Sequence, residues 1–177
     1  MRNKRSQFFL FSALILVGSS IPSTSIPGSF VFSFDKIIHF TEYAIWGTLG
    51  LKSNFKFFNS VNIFVLLFGL IFCIFDEIWQ SNIPGRDSSL YDVIADFIGI
   101  IFSLLLNKYI KHRKNRNNKI IEALRSNITD SYEICHFVYT DSPDANMVLA
   151  NDQILSHLYS LIKENVVKKI GDQYYLN

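Results

Sequence analysis

Asp35, Lys36, His39, Glu42, Asp76, Glu77, Arg86, Asp87, Asp92 and Asp96 are ionisable side chains that interrupt or adjoin apolar segments between residues 35 and 96. Ionisable groups in or beside hydrocarbon are costly, and by default they mark a functional site. With His39 neutral, Lys36 and Arg86 balance two of these seven carboxylates, so the remaining five need protons, solvent or a bound cation. A histidine among carboxylates has the right atoms for a general base or for divalent-metal ligation. Arg86 follows Ile83-Pro84-Gly85. That run suits a type II turn, in which Pro presets φ at the second position and Gly accepts positive φ at the third. On so rigid a turn a guanidinium can form a bidentate contact with a phosphate or carboxylate.

Several established chemistries are missing. There is no HExxH zinc motif, no GxSxG nucleophile elbow and no GxxxxGK phosphate loop. The paired Arg and His motifs expected of lipid phosphatases are missing too, as is a rhomboid-like Ser–His pair. The sequence therefore assigns no catalytic residue, no metal and no cofactor.

Four apolar segments carry these groups: Phe8 to Ile21, Lys36 to Leu51, Val61 to Trp79, and Tyr91 to Asn107. Helical spacing gathers the polar residues into stripes. Asp35, His39, Glu42 and Trp46 share one, with Lys36, Tyr43 and Gly47 beside it. Asn62, Gly69, Cys73, Asp76 and Gln80 form the second, and Asp92, Asp96, Gly99 and Ser103 the third. Small residues let helices approach closely, so the stripes are expected to face one another. Taken singly, Tyr43, Asn62 and Gln80 read as interhelical hydrogen-bond glue, but glue would not need an excess of acids. Pro22 to Phe34 is dense in Pro, Ser, Thr and Gly and reads as a loop. The first segment is short for a span, and Val17-Gly18-Ser19 would also suit a signal peptidase. A retained first span is the expectation, since the next segments can use a partner helix, and a cleaved signal peptide is the alternative.

Composition agrees with a membrane class: 49% of the 177 residues are hydrophobic and 17 are Phe. Through Lys119 there are 13 basic against 7 acidic residues, and beyond it 4 against 8. That reversal marks a boundary. With the N-terminus in the cytoplasm, Arg2, Lys4, Arg5, Lys52, Lys56 and the run Lys108 to Lys119 lie inside, eleven basic residues against Lys36 and Arg86 outside. The expected fold is an all-α membrane protein, a bundle of about four transmembrane helices with a small cytoplasmic α+β tail domain. Residues 1–110 would form the membrane domain, 111–119 a basic juxtamembrane linker on anionic headgroups, and 120–177 the tail.

In the tail, Ile120, Ile121, Leu124 and Ile128 share a helical face, and Tyr132 to Tyr139 reads as a strand. Asn151 or Asp152 would cap a helix burying Ile154, Leu155, Leu158, Leu161 and Ile162. Val166 to Ile170 and Gln173 to Leu176 read as a hairpin turning at Gly171-Asp172. A helix before a terminal hairpin is similar to a winged-helix module, but the tail's acidic balance argues against nucleic acid. A protein partner is the expectation for the tail. Cys73 and Cys135 are not expected to pair.

Asp35-Lys36-x-x-His39-Phe40-x-x-Tyr43, Asp76-Glu77-x-x-Gln80, Pro84-Gly85-Arg86 and Asp92-x-x-x-Asp96-x-x-Gly99 together resemble the VanZ-like family in order, spacing and residue type. The resemblance covers the membrane half. Asp96 departs from it, standing where the family more often has Asn. The resemblance implies a small multi-pass protein of the cell envelope, in a family whose founding member is tied to low-level resistance to the glycopeptide teicoplanin. Asp35, Lys36, His39, Tyr43, Asp76, Glu77, Gln80, Arg86, Asp92 and Asp96 are the ligand-binding candidates, with Pro84 and Gly85 shaping the turn. The expected function is an outward acidic pocket for a cationic or lipid-linked ligand, such as a glycopeptide, among membrane lipids. The alternative is a membrane enzyme acting on a lipid-linked cell-wall intermediate. A proton-coupled transporter fits less well, because the polar residues gather at the outer ends of the segments.

Overall fold

The computed structural model describes residues 3–22, 28–86, 88–141, 144 and 146–177. They form six helices and a two-stranded sheet: α1 (Lys4–Ser19), α2 (Gly28–Ser53), α3 (Val61–Gln80), α4 (Leu90–Arg125), α5 (Ser131–Val138), α6 (Met147–Lys163), β1 (Val167–Ile170) and β2 (Gln173–Leu176). The chain divides into two compact units, Met1–Lys108 and Tyr109–Asn177.

The first unit is built on rings. Trp46, on α2, is fully buried, lies parallel to Phe68 and Phe72 of α3, and meets Phe8 of α1 at 4.9 Å between centroids. Its indole N–H, which has no water to turn to there, donates to Ser12 Oγ of α1 at 2.9 Å. Val65, Cys73 and Ile100 complete this core. Glycines set the helix spacing. A Cβ on Gly99 would overlap the carbonyl oxygen of Phe40 and come within 3.0 Å of the Ala44 amide nitrogen, so α4 lies directly against the backbone of α2. Gly47 leaves room for Ser103 in the same way, a side chain in place of a backbone.

Two helices, α3 and α4, are long and apolar enough to cross a membrane. The 16 residues of α1 fall short of the usual length. At 26 residues α2 is long enough, about 39 Å at the usual rise, but Asp35, Lys36, Glu42 and Lys52 lower its apolar character. Two boundaries differ from those expected. The loop expected over Pro22 to Phe34 gives way to helix at Gly28, with residues 23–27 outside the described set. The fourth segment does not stop at Asn107. It continues to Arg125, because the basic run holds no Gly or Pro and its Lys and Arg favour helix. The third begins at Val61 as expected, where Ser60 Oγ accepts the Ile63 N–H as N-cap.

In the second unit, Ile120, Ala123 and Leu124 of α4 pack with Ile134, Cys135 and Val138 of α5 and with Ile154, Leu158 and Leu161 of α6. Tyr132 to Tyr139, read as a strand, is mostly helix. Asp130 caps the Tyr132 and Glu133 N–H groups, and burying residues 134, 135 and 138 requires helical spacing. The cap of α6 is Asn146 and not Asn151 or Asp152, which lie within the helix. Asn146 Oδ1 accepts from Val148 N and Leu149 N. Asn146→Ala should cost about 1 kcal/mol locally, read as about five-fold faster hydrogen exchange at those two amides. The hairpin has the expected strands, paired from Val167↔Leu176 to Ile170↔Gln173, and Gly171 at φ 61° makes the turn. Cys73 and Cys135 are both buried free thiols.

Candidate functional site

The close contact at Gly99 brings two polar stripes together. Asp35 and His39 stand one helical turn apart on α2, as do Asp92 and Asp96 on α4. The Lys36 ammonium donates to Asp35 Oδ2 at 3.1 Å and to Asp92 Oδ1. His39 Nδ1 lies 2.9 Å from Asp96 Oδ1, and its Nε2 lies 3.8 Å from Asp35 Oδ1. Both ring nitrogens of His39 thus face carboxylates. The cluster is graded in depth: Asp96 is fully buried, Asp92 and His39 are 5% exposed, and half of the Lys36 side chain meets the surroundings.

A second group lies along the end of α3. Tyr43 donates its hydroxyl to Asp76 Oδ2 at 3.3 Å. Glu77 Oε1 accepts the Ser89 N–H, tying α3 to the residue before α4. Three carboxylate oxygens, Asp76 Oδ1, Glu77 Oε2 and Asp96 Oδ2, are buried with no hydrogen-bond partner among the described residues. A partnerless buried carboxylate oxygen is costly unless a proton, a water or a ligand meets it.

Arg86 goes elsewhere. The turn that presents it closes with Arg86 N–H to Ile83 O at 3.1 Å, and Gly85 takes φ 77°. Its guanidinium donates to Gly18 O at 3.3 Å, Ile21 O at 3.2 Å and Gln80 Oε1 at 3.3 Å. No described carboxylate is within ion-pair distance of it. The cation therefore caps the carbonyl end of α1, where the helix dipole favours positive charge. Three of its N–H groups are used, leaving one on each terminal nitrogen. Gln80 Nε2 donates to Ser19 Oγ and Trp79 Nε1 to Ser20 Oγ, so α1 and α3 are stitched at the same end.

The VanZ/LLP1 family model matches residues 2–111, well over half of the 177. The chain belongs to the VanZ/LLP1 family. No curated protein and no solved structure matches it. All the residues of this site lie within the span shared with the family, whereas α5, α6 and the hairpin lie beyond it.

Within this VanZ/LLP1 unit the ten candidates fall into three groups. Asp35, Lys36, His39, Asp92 and Asp96 form one ionic cluster. Tyr43 and Asp76 form a pair, and Glu77 bonds to backbone. Arg86 and Gln80, with Pro84 and Gly85 shaping the turn, hold the end of α1. Asp87 lies outside the described residues. Asp35, His39 and Asp92 each offer a donor atom, all within 4.8 Å of one another, and so could hold a metal ion. Lys36 already places its ammonium between two of the three. Sequence reasoning missed Ser19, Ser20 and the Gly18 carbonyl as partners of α3 and Arg86. The available signal was the small polar pair that ends an apolar run.

Proposed function

We propose that this VanZ/LLP1 protein is a multi-pass protein of the cell envelope whose acidic pocket binds a cationic or lipid-linked ligand. In this reading α1, α2, α3 and the first part of α4 are four transmembrane helices and both termini are cytoplasmic. The observation that carries it is the buried excess of acid: Asp76, Glu77, Asp92 and Asp96 are each at most 5% exposed, against Lys36 and His39 as cations in contact with the cluster. A ligand amine would meet the carboxylate oxygens that the protein leaves unpaired. A lipid-linked phosphate would meet the two free N–H groups of Arg86. Amines are what a glycopeptide of the teicoplanin type carries, and the family link supports that ligand class.

Binding of teicoplanin and of an undecaprenyl-linked cell-wall precursor to the purified full chain tests the proposal. Saturable binding of either, weakened at least ten-fold in Asp76→Asn, is the expected result. Binding of neither would sink it. The enzyme alternative keeps one specific support, the His39–Asp96 pair, in which a buried carboxylate orients an imidazole as a general base requires. Turnover of the precursor that disappears in His39→Gln would establish that alternative instead.

Topology is tested separately. A membrane-impermeant thiol reagent applied to intact cells should label Ser88→Cys and spare Lys56→Cys, since the eleven-to-two basic bias favours an outward segment between α3 and α4. The opposite labelling would invert the protein and remove the outward pocket.

A further inference from the structure

The second unit holds a cleft of about 400 Å³ whose chemistry is opposite to that of the acidic cluster. One wall is a face of α4 at helical spacing, with Tyr109, His112, Arg113 and Arg116; the other is a face of α6 with Gln153, Ser156 and His157. None of these residues is acidic, although residues beyond Lys119 carry 8 acids against 4 bases. Among the described residues Arg113 has no carboxylate, hydrogen-bond or ring partner, although its side chain is not fully exposed. Arg116 is held in place, its guanidinium 4.8 Å over the Tyr139 ring and bonded to Gln153 Oε1. His157 Nδ1 is 2.6 Å from Asn117 Oδ1, and its Nε2 has no hydrogen-bond partner among the described residues. Burial, and then Arg113 and Arg116, push the His157 pKa down, as positive charge with no counter-ion must.

We propose that this cleft binds a phosphate group, with Arg113 and Arg116 as its cationic partners and Ser156 as a hydrogen-bond donor. Guanidinium matches phosphate with two parallel bonds, and the volume is within the range of small-molecule sites. The source we favour is an anionic lipid headgroup. In sequence Tyr109 comes three residues after Leu106, the end of an apolar run, and basic pockets just inside a span take such headgroups. That source rests on α4 crossing the membrane as proposed above; phosphate binding itself does not.

The test uses the detergent-solubilised full chain. Native mass spectrometry with equimolar phosphatidylglycerol and phosphatidylcholine should show the anionic lipid retained in preference. Inorganic phosphate should displace it. Arg113→Gln, which removes no bond to the protein, should lower the preference about five-fold, and adding Arg116→Gln should lower it further. Lys168→Gln/Lys169→Gln, an equal change of charge on the exposed hairpin, should leave it intact. Inorganic phosphate that binds and is lost in Arg113→Gln, without any lipid preference, would make the source soluble phosphate and overturn the lipid assignment alone. No phosphate or lipid binding, or equal losses in the arginine and lysine variants, would overturn the site.

Discussion

His39→Phe is expected to destabilise the first unit by about 3–5 kcal/mol, the usual cost of removing one partner of a buried ion pair. His39 is 5% exposed and its partner Asp96 is fully buried. Taking away the imidazole leaves both Asp96 oxygens unpaired, because Oδ2 already lacks a partner among the described residues. Phenylalanine fills the space, so the loss reports charge and hydrogen bonding more than a cavity. His39→Gln should cost less, since an amide N–H can still donate to Asp96. The double variant His39→Phe/Asp96→Leu should recover most of the loss, because replacing both partners of a buried pair with apolar groups is often neutral. Unfolding of the detergent-solubilised protein measures all three, and the coupling energy comes from the cycle. Equal stability of single and double variants would show that His39 acts by shape and not as the partner of Asp96.

What the sequence disclosed and what it withheld divide along a physical line. Val61 to Phe75 is almost unbroken hydrocarbon behind a serine cap, so local signals alone place α3. The four-residue spacings Asp35–His39 and Asp92–Asp96 likewise declare shared helix faces. Which carboxylate takes which cation depends on how far α4 slides along α2, and that is set by the contact of Gly99 with Phe40 and Ala44. Arg86 shows the same limit. Acids surround it in sequence, yet it donates to carbonyls at the end of α1 and just past it, more than sixty residues away. In the tail, Tyr132 to Tyr139 mixes aromatic and β-branched residues with polar ones, which suits a strand. Asp130 as cap and the face that packs with α6 decide for helix. Local pattern names the elements, and tertiary contact overrides it where the run is short.

Gly99→Ala is the second substitution with a large expected effect, about 2–3 kcal/mol of destabilisation from a single methyl group. Glycine inside a helix is normally replaced by alanine at a gain, since alanine loses less backbone entropy. The sign reverses here because the added carbon would overlap the Phe40 carbonyl oxygen and crowd the Ala44 amide, which are backbone atoms that cannot rotate away. Relief requires α4 to move off α2, and that movement would also draw Asp92 and Asp96 from Lys36 and His39. Stability and the geometry of the ionic cluster should therefore fall together. Gly47→Ala meets the Ser103 side chain instead, so rotation of one hydroxyl absorbs part of the strain and the cost should be smaller. Gly18→Ala is the control: nothing lies within 4 Å of the new carbon, and the change should be neutral or stabilising by about 0.5 kcal/mol. Thermal unfolding of the three variants in one detergent should rank Gly99→Ala lowest, then Gly47→Ala, with Gly18→Ala at or above the parent. If Gly99→Ala unfolds with the parent, α4 is not seated on the α2 backbone, and the pairing of His39 with Asp96 would have no scaffold to hold it.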